Sequence, residues 1–479
     1  MTLNKSRYIH LAIMLILAFG ISALPPFGQV TPFGMKAIGV FVSVLYGWIF
    51  FDLFWTSIFG FMLIPVLGLN SVAGAIAAGL GNQMLINVLL TMVFAVAIDM
   101  AGVTDLIANW MLKRKILRKN PWYLVIGMLL IGAFIGLLGP GMAAIFLLWG
   151  ITIKVADYCG LKKGDPLLSF MIMMIPVFTM TASFLLPFHG GVLIYAAYLQ
   201  QVTNVGIPAG SFIIFGVTTV GLIYVLMLLA ARFILRLDVS KFMLPESIYE
   251  EIENTSSTSK QKVSLVVLII YIVLLLGASL FTSLPGAAFI NKLGVGGISG
   301  IATLILAVLN YKGEGYIKFQ TVFARVDWNL IFLLSVTYPI ADLIKHADAG
   351  IMPTIMATVG PIVSQLGAVP FMIASMVILG LVTQVTHNIV LGAMFMPFLL
   401  PLCASVGGNM YTLWFILFIT LNMAYCTPAG SFQSALVFGH ELTERKHAYI
   451  YGILLLVATW IVYAVVGIPL GDLVFGGIA

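Results

Sequence analysis

The sequence predicts an all-α polytopic membrane protein of about 11 transmembrane spans plus two re-entrant hairpins in two inverted repeats. Three observations carry this. Hydrophobic residues make up 61% of the 479 positions and charged residues only 8%, a composition that no ordinary soluble fold shows. An uncharged run from Pro121 to Ile153 is fenced by basic residues on both sides, Lys113, Arg114, Lys115, Arg118 and Lys119 before it and Lys154, Lys162 and Lys163 after it. From Ala349 to His440 there is no Asp, Glu, Lys or Arg at all.

The apolar runs are long and continuous, unlike the short alternating strands of an outer-membrane barrel. The formal charge of +6 comes mostly from basic residues in short loops beside spans, where they set topology. The bilayer is therefore the expected partner, and nucleic acid is not. Cys159, Cys403 and Cys426 are odd in number and widely spaced, so no disulfide framework or metal-ligand spacing emerges. Lys5 and Arg7 precede the first apolar run, which reads as an uncleaved N-terminal span within residues 1–34. That places the N-terminus in the cytoplasm of a multi-pass protein of the cell (inner) membrane.

Lys and Arg collect on the cytoplasmic side, and this rule orders the rest of the chain. The first repeat, 35–236, opens with spans near 35–53, 54–69 and 84–101. Both flanks of 121–153 then lie inside, so this run enters the bilayer and returns, with Gly139-Pro140-Gly141 at the tip. Non-helical backbone at that depth must face protein or a watery cavity. The next span, 167–203, carries Pro176, Pro187 and Gly190-Gly191, which break it near its middle. A span at 211–231 returns to Arg232 and Arg236. Residues 237–262, with Glu246, Glu250, Glu251 and Glu253, form a polar cytoplasmic linker between the halves.

The second repeat, 263–479, has spans at 263–282, 294–311 and 328–345. The charge-free stretch that follows needs an odd number of crossings. Three complete spans satisfy this, and so does a hairpin open to the outside, 367–404, followed by one broken span, 411–439; the second is favoured here. Thr386, His387 and Asn388 fall at the hairpin tip, and Thr427-Pro428-Ala429-Gly430 falls in the broken span as Pro187 to Gly191 does in the first. A last span covers 448–468. The same order of elements with opposite orientation marks secondary transporters.

Several stretches resemble the divalent-anion:sodium symporter family of the ion transporter superfamily. Val326-Asp327-Trp328-Asn329-Leu330-Ile331-Phe332 with Ile340-Ala341-Asp342 is similar to the family's start of the second repeat core. Phe94 to Gly102 is similar to the matching place in the first. Thr427-Pro428-Ala429-Gly430 through Phe438-Gly439 resembles the family's Thr-Pro stretch before a half-helix. The family's hairpin tips carry Ser-Asn-Thr; here the second reads His387-Asn388-Ile389 and keeps only the Asn, and the first reads Gly139-Pro140-Gly141 and keeps none. The resemblance implies elevator transport and a homodimer joined through the scaffold spans. It also implies substrate and sodium at the tips.

The breaks suit such a site chemically. Half-helix N-termini favour an anion, and freed carbonyls favour a cation. The candidate substrate residues are Gly139, Pro140, Gly141, His189, Gly190, Thr386, His387, Asn388, Thr427, Pro428 and Ser431. Na+ is expected near Gly139, Gly141, Asn388 and Thr427. His387 is the alternative, as a proton-coupling group. Polar groups in an uncharged region cost free energy unless partnered or used; capping of the hairpin tip is the competing role for His387 and Asn388. Asp99 and Asp342 lie near span ends, and Lys154 sits where it can snorkel to the interface.

No phosphate-binding G-x-x-x-x-G-K-[ST] loop appears, so transport is expected to be secondary. No intramembrane nucleophile or H-E-x-x-H zinc pattern points to an enzyme. The expected cargo is a small anion, a di- or tricarboxylate, carried by cation-coupled symport or exchange. A sodium/proton antiporter or inorganic oxyanion permease of the same superfamily is the alternative.

Overall fold

The computed structural model describes residues 5–139, 141–203, 205–243, 245–311 and 314–477. Among them ten helices are long and apolar enough to cross a membrane, or eleven when the pair Ile351–Leu366 and Ala368–Val382, bent by 109°, counts as one. The chain is a polytopic membrane protein. The described residues hold one antiparallel strand pair, Asn310–Tyr311 with Glu314–Gly315.

Local sequence starts several of these helices in the same way. Thr31, Asn120 and Asp165 each place a side-chain oxygen on a backbone N–H of the first turn, and each is followed by a proline at the first helical position. A capping oxygen satisfies one orphan donor, and proline has no N–H to waste. The apolar runs that follow then extend as helices because the backbone must bond internally in lipid.

A helix pair, a broken helix and a long helix follow one another twice. In the first half these are Pro121–Leu138 with Gly141–Tyr158, then Pro166–Ser183 with Gly190–Thr203, then Ala209–Leu229. In the second they are Ala368–Val382 with Asn388–Ser405, then Met410–Asn422 with Phe432–Gly439, then Arg445–Val462. Each helix pair packs on the first piece of its own broken helix, and Asn388–Ser405 also packs on Gly190–Thr203, which joins the two halves. Tight approach needs small residues. At Gly136 a Cβ would run into the backbone carbonyl of Thr179, so Pro121–Leu138 lies directly on Pro166–Ser183 there.

Around this core, Pro32–Phe50, Leu53–Val66 and Val72–Gly79 pack on Trp328–Lys345, and Gln83–Met100 and Ser259–Leu280 pack on Ala287–Val308. Several segments outside the expected spans are also helical: Val72–Gly79, Val103–Leu112, Glu246–Asn254, Phe319–Ala324 and Ile351–Leu366. The last contains Pro353 and Pro361, and it ends at Gly367, whose φ of +75° turns the chain sharply. The second helix of the first pair runs beyond the uncharged stretch, through Lys154 and Asp157, to Tyr158.

The segment read as a polar linker packs against the base of the first pair. Phe242, Tyr249 and Ile252 are buried. Arg118 pairs with Glu246 and lies 4.1 Å over the Tyr249 ring, while Gln261 Nε2 donates to the Gly102 carbonyl at 3.2 Å. A helix with glutamates along one face can bury Tyr249 and Ile252 on the other, which a reading by charge alone passes over.

Candidate functional site

Both helix-pair tips and both helix breaks meet at one cavity of about 540 Å³. Gly139 brings the first tip to its wall, and His387, Asn388 and Ile389 bring the second. His189, Gly190 and Gly191 come from one break; Asn422, Ser431, Phe432 and Gln433 come from the other. Three helix N-termini therefore face the same space: those of Gly190–Thr203, Asn388–Ser405 and Phe432–Gly439. The first-turn N–H groups of a helix have no partner within it, and the dipole adds positive potential there. The lining contains no Lys or Arg, and its one carboxylate is Asp327.

Each tip is tied to its broken helix by a side chain. In the first half, Gly191 N–H donates to His189 Nδ1 at 3.3 Å, so the proton of the neutral ring sits on Nε2. Nε2 in turn faces the Gly139 carbonyl at 3.3 Å. In the second half, Asn388 Nδ2 donates to Asn422 Oδ1 at 2.8 Å, and Asn422 Nδ2 donates to the Phe418 carbonyl at 2.8 Å. Asn388 Oδ1 accepts from the Ile389 N–H at 2.9 Å.

Gly139 has φ +145° and ψ −77°, a conformation closed to residues with a Cβ although the space around it is open. Replacing it with alanine should cost about 1–3 kcal/mol of backbone strain. Because Gly139 also accepts from His189, the expected outcome is a displaced tip: folded protein whose ligand affinity falls, measured by melting temperature and ligand titration of the same sample.

The unwound stretch of the second broken helix is held by Gln384. Its Oε1 accepts from the Cys426 N–H at 2.8 Å, and its Nε2 donates to the carbonyls of Gly380 at 2.8 Å and Met423 at 3.3 Å. The Gln384 carbonyl accepts from Thr427 Oγ1. Ser431 caps Phe432–Gly439 by accepting from Ser434 N–H at 3.1 Å, and Ser431 Oγ donates to the Ala424 carbonyl at 3.1 Å. Buried backbone groups freed by a helix break are satisfied in this way.

Of the candidate residues, the cavity brings together Gly139, His189, Gly190, His387, Asn388 and Ser431, with Gly191 and Gln433 beside them. Gly141, Thr386, Thr427 and Pro428 are outside its lining. Gly141 is buried next to Met180 and Thr179, Thr427 is bound to Gln384, Thr386 is half-buried and Pro428 is exposed. Pro140 lies outside the described residues. Asp99 neighbours Arg325 and Asp105, and Asp342 neighbours Lys345; neither acid lines the cavity, nor does Lys154.

The lining also holds Thr91, Tyr195, Tyr271, Asp327 and Asn422, which the sequence reading did not select. Thr91 Oγ1 and Tyr271 OH both contact Ser299 Oγ, at 3.3 and 3.2 Å. Asp327 Oδ1 accepts from the Asn329 and Leu330 N–H groups at 3.1 and 3.4 Å, capping Trp328–Lys345.

No curated protein matches the chain. The citrate transporter family profile matches residues 41–420, a stretch that takes in both helix pairs, the first broken helix and nearly all of Met410–Asn422. The chain belongs to the citrate transporter family, a branch of the ion transporter superfamily.

Proposed function

We propose that this protein is a secondary active transporter of citrate or a related di- or tricarboxylate. The observation that carries the reading is the convergence of three helix N-termini and the Asn388 amide on one cavity whose lining holds no Lys or Arg. Such a wall offers N–H groups to carboxylate oxygens and holds them by oriented dipoles rather than by a fixed ion pair. Release on the far side then requires no strong ion pair to break.

The two helix pairs act as re-entrant hairpins of two inverted repeats, 35–236 and 263–479. Their tips end at the same cavity as the two helix breaks, which supports a mid-depth position for all four. Hairpins and broken helices move together as an elevator past the scaffold helices, in a homodimer of the inner membrane with a cytoplasmic N-terminus. The narrower likeness to divalent-anion:sodium symporters belongs to this proposal, as does coupling to Na+ or H+, or exchange of anions. Sodium/proton antiport calls for a carboxylate free to exchange ions, whereas Asp327, the cavity's carboxylate, caps a helix.

Purified protein in liposomes tests the reading. Labelled citrate should accumulate saturably under an inward sodium or proton gradient or against internal citrate. No flux of any carboxylate under all three conditions would contradict it.

A further inference from the structure

Tyr195 is 2% exposed and forms part of the cavity wall. Its position is rigid. The ring packs 4.9 Å from Phe418 and 5.9 Å from Tyr198, centroid to centroid, and Trp414 Nε1 donates to the Tyr195 carbonyl at 2.9 Å. Gly392 lies against its edge, where a Cβ would approach Cε1 to 2.7 Å. The hydroxyl lies beside the Asn422 carboxamide, whose Oδ1 accepts from Asn388 and whose Nδ2 donates to the Phe418 carbonyl. The phenol oxygen reaches no partner with hydrogen-bonding geometry.

Buried side-chain polar atoms nearly always have a partner. A phenol fixed beside the tip amide, already stripped of water, is a donor whose desolvation is complete before ligand arrives. We infer that Tyr195 contacts the substrate, donating its hydroxyl proton to a carboxylate oxygen seated where the second hairpin tip meets the first broken helix. Asn422 is the positioning residue, since it holds Asn388 beside the phenol, and a small shift of this amide pair admits the oxygen. The inference rests on the carboxylate-transport reading and gives that site a donor on Gly190–Thr203. It assigns Tyr195 to recognition and leaves the neighbouring Tyr198 out, although the Tyr198 hydroxyl is also buried without a partner: Tyr198 is not part of the cavity wall.

The test uses the full chain, purified, with citrate titrated while binding and melting temperature are followed. Tyr195→Phe should weaken citrate binding roughly 10- to 100-fold, the loss of one hydrogen bond to a charged group. Its ligand-free melting temperature should stay level or rise, because a buried unpaired hydroxyl has been removed. Tyr198→Phe should leave the affinity within about twofold of wild type. Unchanged citrate affinity in Tyr195→Phe would overturn the assignment and leave the transport reading standing. So would a ligand-free melting temperature lowered by several degrees with affinity intact, which would show a purely structural phenol. Wild-type protein that binds neither citrate nor any other carboxylate would overturn the transport reading itself, and Tyr195's role with it.

Discussion

Gln384→Ala should destabilise the protein by about 2–5 kcal/mol, because it unpairs several buried backbone groups at once. The side chain satisfies the Cys426 N–H and the carbonyls of Met423 and Gly380. Cys426 and Met423 belong to the unwound part of the second broken helix, where no intrahelical partner can replace what is lost. At 5% exposure the site admits little water to compensate. The melting temperature in detergent should fall by several degrees. Equal stability of wild type and Gln384→Ala would show that the break is held by other contacts.

Asn388→Ala should reduce citrate transport roughly 100-fold while most of the protein remains folded. The amide is the second hairpin's only side-chain tie to Asn422 among the described hydrogen bonds, and it is a donor at the cavity wall. Its removal therefore costs a ligand contact and the position of the tip together. Asn422→Ala should produce a smaller loss, since the Asn388 amide remains, and the double variant should be little worse than Asn388→Ala alone, because both remove the same bond. Uptake by liposomes containing matched amounts of folded protein measures this. His387 provides the contrast at the same tip: its ring lines the cavity, so His387→Ala should alter affinity and leave the Asn388–Asn422 bond in place. Unchanged uptake and affinity in both variants would remove the second tip from the binding site.

Much of this arrangement was legible in the residues, because the bilayer enforces simple rules. The charge-free runs from Pro121 to Ile153 and from Ala349 to His440 hold the helix pairs, and Gly139 and Asn388 stand at their tips because helices break where glycine or a capping amide interrupts an apolar run. Gln384 and Asn422 were open to the argument applied to His387 and Asn388, since each is a polar side chain in the same charge-free stretch. What hid them is that each has, besides a carbonyl one turn away, a partner 34 or 42 positions distant, and only the packed helices reveal such pairings. Tyr195 was harder still. A tyrosine on an apolar helix usually finds a partner in the core, and nothing in its neighbours shows that this one does not. The helix Ile351–Leu366 escaped for another reason: two prolines and three flanking or internal glycines look like a loop, yet Pro353 falls in the first turn, where its missing N–H does no harm. Thr427 and Pro428 were selected as ligand contacts from their place in a break, but the break is wide, and its cavity-facing end is Ser431 to Gln433.

The central claim is that the two hairpin tips and the two helix breaks together form one carboxylate site. A structure of the purified protein with citrate bound, determined by electron cryomicroscopy, tests it most directly. The account predicts citrate density within the cavity, in contact with the helix N-termini at Gly190, Asn388 and Phe432. Density at any other place, with this cavity empty at saturating citrate, would contradict it.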